Sequence, residues 1–134
     1  MGESAKHMEL VEMVRREALA IVPPQYAPLI QVDSPDSEEK ARVGNYSPDV
    51  YYSYDNQLVI GEAKTLEDFS RKHSQDQFEA YLAASNAFPG KSVLIVAVPW
   101  MLFATAKNYF RRRVPAGGRV QVIVLDDTKG RREI

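Results

Sequence analysis

Residues 47–64 read SPDVYYSYDNQLVIGEAK, and this stretch decides the fold. It contains two runs rich in β-branched and aromatic residues, 49–54 and 57–64, which is the composition of β-strands. Between them lies Asp55-Asn56, a pair suited to the two-residue turn of a β-hairpin. The stretch therefore predicts an antiparallel hairpin.

The length of this turn also predicts the register of the hairpin. If two residues form the loop, Tyr54 pairs with Gln57, and the same register places Asp49 opposite Glu62. Directly opposed residues have Cβ atoms about 4.5–5.5 Å apart. Side chains alternate along a strand, so Glu62 and Lys64 share a face. We therefore expect two carboxylates and one ammonium group to converge at the open end of the hairpin.

Two opposed carboxylates repel each other unless a cation lies between them. Mg²⁺ takes oxygen ligands, typically one or two carboxylates, several waters and a substrate phosphate. The backbone carbonyl of Ala63 would add a ligand, and Lys64 would orient a water or stabilise charge on phosphorus. The pattern fits phosphodiester hydrolysis. A simple salt bridge between Lys64 and one of the acids is the alternative.

Outside the hairpin, hydrophobic periodicity predicts the remaining elements. The predicted order is α-β-β-β-α-β followed by a C-terminal α-β, which is an α/β (α+β) fold. We expect a single domain, residues 1–134, with a mixed central sheet flanked by helices. The predicted ranges are helix 3–22, strand 29–32, helix 66–87, strand 92–98, helix 100–113 and strand 119–125.

The motif Pro48-Asp49, followed by Glu62-Ala63-Lys64, resembles the signature of the PD-(D/E)xK nuclease superfamily. The expected element order matches the core of that family, and residues 61–65 are similar to the RecB-type and Holliday-junction-resolvase versions. The resemblance implies that Asp49 and Glu62 bind Mg²⁺, with Mn²⁺ able to substitute, and that Lys64 is catalytic.

Gln77 and Tyr81 on the following helix resemble the Gln-xxx-Tyr motif of RecB-like nucleases. Both fall on the broad face of the helix that the hydrophobic pattern turns inward. In that family the glutamine helps to order the metal site or its water, so Gln77 is a candidate catalytic residue. A buried amide with a structural partner is the alternative.

Many members of the family have a further glutamate ligand on the first helix. Glu17 and Glu3 lie nearest the apolar stripe of that helix and are the candidates, whereas Glu9 and Glu12 point away from it. Lys6-His7-Met8 is typical of a cloning remnant, so His7 receives no role although it falls on the stripe.

Basic and aromatic residues supply candidate nucleic-acid contacts. Near the proposed site these are Arg71, Lys72, His73 and Tyr81, and in the basic C-terminal part they are Arg111, Arg112 and Arg113. A solvated surface is the alternative for Arg71 and Lys72, a structural role for His73, and a helix end favoured by its dipole for the three arginines.

The composition limits the classes of function. The chain has 134 residues, no cysteine, and 17 basic against 18 acidic residues, for a net charge of −1. A polyanion must therefore be held by local patches. No apolar run is long enough to span a membrane, so we expect no membrane partner, and the absence of cysteine is compatible with a cytoplasmic location.

The leading hypothesis is a Mg²⁺-dependent nuclease acting on DNA, with an endonuclease favoured, as a homodimer or as part of a larger nuclease complex. The alternative is a non-catalytic nucleic-acid-binding or assembly module built on the same fold.

Overall fold

The hairpin forms with the predicted register. Asp55 and Asn56 adopt left-handed φ angles of 51° and 62°, as a two-residue turn of type I′ requires. The paired positions run from Tyr54 opposite Gln57 to Val50 opposite Gly61. Asp49 therefore lies one position beyond the last pair, at the open end of the hairpin.

The computed structural model describes residues 4–34, 36, 39–114 and 117–134. Within them, the chain forms a six-stranded mixed sheet in the order β1-β2-β3-β4-β5-β6. Strands β3, β4 and β5 are parallel, and the other neighbours are antiparallel. The strands are β1 (Gln31–Val32), β2 (Val50–Tyr54), β3 (Gln57–Ala63), β4 (Lys91–Val98), β5 (Val120–Asp126) and β6 (Arg131–Glu133).

Helices cover both faces of this sheet, so the fold is the predicted mixed α/β architecture. Helix α1 (Ala5–Ile21) packs on one face, while α2 (Lys72–Ala87) and α3 (Phe103–Arg113) pack on the other. The parallel strands β4 and β5 are almost entirely buried, which explains their continuous apolar sequences.

Helix α1 approaches β3 closely because β3 has a glycine at the crossing point. A Cβ atom on Gly61 would lie 2.2 Å from Cγ1 of Val14. The same helix reaches the end of the sheet where β3, β4 and β5 terminate, which we call the carboxyl end. The opposite end of the sheet, where these strands begin, is the amino end.

The second helix is shorter than predicted. It begins at Lys72, and residues 65–71 form turns instead of the helical turns expected from residue 66 onwards. Side chains of the first helical turns bind the carbonyls of this segment: Ser74 Oγ donates to the Asp68 carbonyl at 2.7 Å, and Gln75 Nε2 to the Phe69 carbonyl at 3.1 Å. The predicted start was therefore wrong.

Other boundaries also differ from the prediction. Of the predicted strand 29–32, Gln31 and Val32 form the short β1, whereas Leu29 ends a 3₁₀ helix, Pro24–Leu29. A 3₁₀ turn, Trp100–Leu102, precedes α3, and β6 was not predicted. No helix among the described residues is long and apolar enough to cross a membrane.

Candidate active site

The carboxyl end of the sheet holds a cluster of buried polar side chains. We call Asp49, Glu62, Lys64, Gln77 and Tyr81 the carboxyl-end cluster. The exposed fraction is 7% for Asp49, 4% for Glu62, 8% for Lys64 and 7% for Gln77. Charged side chains are almost never buried this deeply unless they are paired. The hairpin and α2 therefore bring the predicted catalytic residues together.

Asp49 is fixed at the end of β3 by a backbone hydrogen bond. Its Oδ2 accepts from the Ala63 N–H at 2.8 Å. This bond holds the carboxylate beside Ala63, the residue between Glu62 and Lys64 whose carbonyl is the predicted third oxygen ligand. Asp49 thus stays beside Glu62 without a paired position in the ladder.

Glu62 lies where ionisation is unfavourable. Burial, followed by the charge of Asp49, raises the pKa of Glu62 well above its usual value, and Lys64 and the Tyr81 hydroxyl offset this only in part. Tyr81 donates to Glu62 Oε1 at 2.9 Å. Burial and the neighbouring Glu62 raise the pKa of Tyr81, so its hydroxyl remains a donor.

Lys64 lies between an acid and an amide. Its Nζ is 3.7 Å from Glu62 Oε2 and donates to Gln77 Oε1. The backbone of Lys64 is also fixed, since its N–H donates to the Ala97 carbonyl on β4 at 3.0 Å. The ammonium group is therefore held at a defined place beside the two carboxylates.

Gln77 and Tyr81 on α2 are separated by nearly the same distance as Lys64 and Glu62 at the end of β3. Four helical residues rise about 6 Å, and two strand residues rise about 6.6 Å. Because α2 runs antiparallel to β3, Tyr81 meets Glu62 and Gln77 meets Lys64. His73, four residues before Gln77, lies one step farther out and is exposed.

Aromatic rings surround this outer position. The ring of Tyr46 lies edge-on to His73 at a centroid distance of 5.6 Å and to Tyr81 at 6.4 Å. Tyr46 belongs to the loop before β2, so this loop covers one side of the cluster. His73 therefore stands at the mouth of the site.

His7 also lies beside Asp49, a contact that was not predicted from the sequence. Its Nε2 is 3.5 Å from Asp49 Oδ2, and its side chain is mostly buried. His7 lies three and seven residues before Leu10 and Val14, which are fully buried on the inner face of α1. A polar residue on the apolar stripe was the signal available, and attributing it to a cloning remnant discarded that signal.

The donor set fits a hard divalent cation in an open site. Within the described residues, no group of three or more His, Cys, Asp or Glu side chains forms a ready metal centre. Mg²⁺ does not require one, because it usually keeps several waters and binds through one or two carboxylates. Asp49 and Glu62, two buried acids whose proximity opposes the ionisation of Glu62, supply that number. His7 would add a nitrogen donor.

The candidate ligands on the first helix lie elsewhere. Glu17 pairs with Arg131, whose Nη2 is 3.1 Å from Glu17 Oε2. Glu17 is ten residues beyond His7, about 15 Å along the helix. The structure therefore does not bring Glu17 to Asp49 and Glu62. Glu3 lies outside the described residues.

The candidate nucleic-acid contacts separate into two groups. Arg71 and Lys72 lie at the start of α2, near the carboxyl end, where they pair with Asp68 at 3.8 Å and Asp76 at 3.0 Å. The second group is Arg111, Arg112 and Arg113.

These three arginines form the last turn of α3, which is 11 residues long, so they lie about 16 Å from its start. Arg113 pairs with Glu79 at 3.0 Å and lies 3.6 Å from the centroid of the Tyr109 ring. The structure therefore does not bring this group to the cluster.

Neither a protein-family model, nor a curated protein, nor a solved structure matches this chain. The residues of the carboxyl-end cluster must therefore carry any functional assignment.

Proposed function

We propose that this protein is a divalent-metal-dependent nuclease that hydrolyses phosphodiester bonds in DNA, acting as an endonuclease in a cytoplasmic setting. The observation that carries the proposal is the buried Asp49–Glu62 pair with Lys64 held beside it. A pair of acids in this position costs stability unless a cation or a proton relieves it. The resemblance of these residues, and of Gln77 and Tyr81, to the PD-(D/E)xK motifs supports the proposal.

In this proposal Asp49, Glu62 and the Ala63 carbonyl hold Mg²⁺ or Mn²⁺, with His7 as a further donor. When bound, the ion would polarise a phosphoryl oxygen and favour deprotonation of an attacking water. The Ala63 N–H fixes Asp49, and the Tyr81 hydroxyl fixes Glu62, so both carboxylates are oriented before a substrate arrives.

Lys64 acts on the reacting groups. In hydrolysis the attacking water gives up a proton as its oxygen bonds to phosphorus, the phosphorus–oxygen ester bond breaks, and the leaving oxygen takes up a proton from solvent. From its position beside Glu62, the Lys64 ammonium would orient the water and stabilise negative charge on the phosphoryl oxygens. Gln77 holds the ammonium in place and is a positioning residue.

A cleavage assay tests the proposal. Plasmid and oligonucleotide DNA would be incubated with the protein in Mg²⁺, Mn²⁺ or EDTA. We expect cutting in either metal and none in EDTA. Removing a group that acts in the transition state should cost about a hundredfold or more in rate, so Asp49→Asn and Lys64→Ala should each show at least that loss.

Glu79→Gln is the matched control, because Glu79 is an exposed acid of α2 whose ion-pair partner is Arg113 and not a residue of the carboxyl-end cluster. It should cut at the normal rate. Binding of DNA without cutting in any metal would contradict the proposal and support the alternative, a nucleic-acid-binding module of the same fold.

A further inference from the structure

A second feature of the carboxyl end is a cleft of about 500 Å³ at the loops that follow β3, β4 and β5. The cleft is lined by Thr65 and Leu66, which directly follow Lys64, and by Trp100 and Met101, which follow β4. Because β3 and β4 are parallel and Ala63 pairs with Ala97, the loops that leave them are neighbours. The cleft therefore lies at the carboxyl end, where the chain leaves β3 directly after Lys64.

Large apolar side chains are exposed around this cleft. Trp100 is 59% exposed, Met101 53% and Leu66 47%. Apolar groups gathered at one place on a surface indicate a binding site more often than apolar residues scattered singly. Trp100 presents an aromatic ring, the side chain best suited to stacking on a planar partner.

The turn that carries Trp100 is fixed. The Trp100 N–H donates to Asp127 Oδ1 at 2.8 Å, and Asp127 Oδ2 accepts from Lys6 Nζ at 2.9 Å. The ring is therefore attached to a backbone that is tied to both α1 and the segment after β5. Because this backbone is already held in place, binding a partner would cost little conformational entropy there.

The charge of the cleft indicates what does not bind there. Its lining includes Lys6, Glu67 and Asp127. Lys6 is bound by both Glu9 and Asp127, so its charge is compensated, and Glu67 adds a negative charge. A row of phosphates would find no net attraction in this cleft. An uncharged, planar group beside the phosphate is the better occupant.

We propose that Trp100 stacks on a nucleobase adjacent to the phosphodiester held by Asp49, Glu62 and Lys64, so that the substrate is single-stranded or unpaired at the cut. This inference rests on the proposed function and names its substrate class. A base inside a duplex is stacked on both faces, so a ring on a fixed turn can reach a base face only where the strand is open.

Trp100 makes the test direct, because it is the single tryptophan of the chain. Its fluorescence would be followed while the full chain, in Mg²⁺, is titrated with a phosphorothioate-linked oligodeoxythymidylate, which resists hydrolysis. We expect saturable quenching by the single strand. The same strand in a duplex should bind at least tenfold more weakly, and an abasic strand of equal length should not quench.

Variants locate the contact. Anisotropy of a labelled single strand should show binding about 5- to 100-fold weaker for Trp100→Ala, the range expected for loss of one base–aromatic stack. Trp100→Phe should restore most of the affinity. Tyr54→Ala is the matched control, because Tyr54 is 50% exposed but lies at the amino end, and it should bind normally.

Three results would overturn the inference: equal quenching by the abasic strand, equal or tighter binding of the duplex, or unchanged affinity in Trp100→Ala. Self-association of the protein without DNA, lost in Trp100→Ala, would also overturn it, because a second copy would then cover the cleft.

The two proposals fail separately. If the protein cuts DNA but its affinity for DNA does not depend on Trp100, the stacking inference is overturned and the proposed nuclease activity stands. Base-dependent quenching without cutting in any metal supports the stacking and overturns the nuclease.

Discussion

Glu62 combines two conditions that oppose the loss of its proton. Its side chain is buried, and the carboxylate of Asp49 is close, so the pKa of Glu62 is raised well above its usual value of 4.5. Loss of the Glu62 proton is therefore less favourable than loss of a proton from an exposed glutamate. A divalent cation held by Asp49 and Glu62 would favour the ionised form of Glu62, so metal binding should release protons.

The stability of the metal-free protein should fall as the pH rises. A carboxyl whose pKa is higher in the folded than in the unfolded state contributes stability below the unfolded value, about 4.5, and this contribution is lost as the pH rises through the folded value. Each unit of difference corresponds to about 1.4 kcal/mol. Thermal unfolding in EDTA across this range should show the decline.

Glu62→Gln removes the titrating group, so its thermal unfolding in EDTA should be less dependent on pH than that of the unchanged protein. Glu79→Gln removes an exposed acid instead and should keep the decline. An equal pH dependence in Glu62→Gln and the unchanged protein would show that Glu62 ionises normally.

Helix α2 holds the carboxyl-end cluster through Gln77 and Tyr81, which lie four residues apart. In Gln77→Leu the helix should remain, since leucine is a good helix former, but Lys64 would lose the acceptor of its ammonium hydrogen bond. Leaving a buried charged donor without this partner should cost about 1–3 kcal/mol. Urea unfolding measures the loss, and circular dichroism should show unchanged helix content.

Gln77→Glu separates the hydrogen bond from the shape of the side chain. A carboxylate at this position still accepts from Lys64, so the loss of stability should be smaller than in Gln77→Leu. If both variants unfold at the same urea concentration as the unchanged protein, the contact between Lys64 and Gln77 does not contribute to stability.

The hairpin turn sets the register that brings Asp49 to Glu62. Asn56 has a φ of 62°, a conformation that asparagine and glycine adopt more readily than other residues. Asn56→Ala should therefore destabilise the protein by about 1 kcal/mol, while Asn56→Gly should be neutral or slightly stabilising. The midpoint of urea unfolding measures both changes.

The same substitution in a helix is the control. Asn108 is an exposed residue of α3, and Asn108→Ala should be slightly stabilising because alanine has the highest helix propensity. A loss of stability in Asn108→Ala similar to that in Asn56→Ala would mean that the left-handed turn is not the cause.

These elements also show what the sequence could predict. The turn residues Asp55 and Asn56 determine the register locally, so the positions of Asp49 and Glu62 followed from residue spacing alone. The start of α2 did not, because the contacts of Ser74 and Gln75 with residues 68 and 69 compete with helix formation in a way that periodicity does not show. Propensity alone cannot resolve such competition.

Contacts between distant segments were the least predictable. His7 and Asp49 are 42 positions apart in the sequence, and only the packing of α1 against Gly61 brings the first helix to this end of the sheet. Arg131 and Glu17 are a second example, since their pairing required β6. Both outcomes depend on tertiary packing, which a single sequence does not encode in its local pattern.

For the whole molecule, the distribution of charge separates two basic regions. Arg71 and Lys72 lie at the start of α2, near the carboxyl-end cluster, and their side chains are 68% and 86% exposed. Arg111 and Arg112 are exposed in the last turn of α3. A strand that binds at Lys64 should therefore meet the first pair and miss the second.

The salt dependence of binding distinguishes these two regions. Each phosphate neutralised on a single strand adds about 0.7 to the slope of log affinity against log salt. On the proposed function, the double variant Arg71→Gln/Lys72→Gln should lower the slope by about 1.4, twice that increment. Arg111→Gln/Arg112→Gln changes the net charge by the same amount, so it controls for the overall field, and its slope should match that of the unchanged protein. Equal reductions of the slope in both variants would show that nucleic-acid binding depends on the net charge of the protein and not on residues near the carboxyl end. A reduction confined to the variant of Arg111 and Arg112 would move the binding surface to the last turn of α3, away from Asp49 and Glu62.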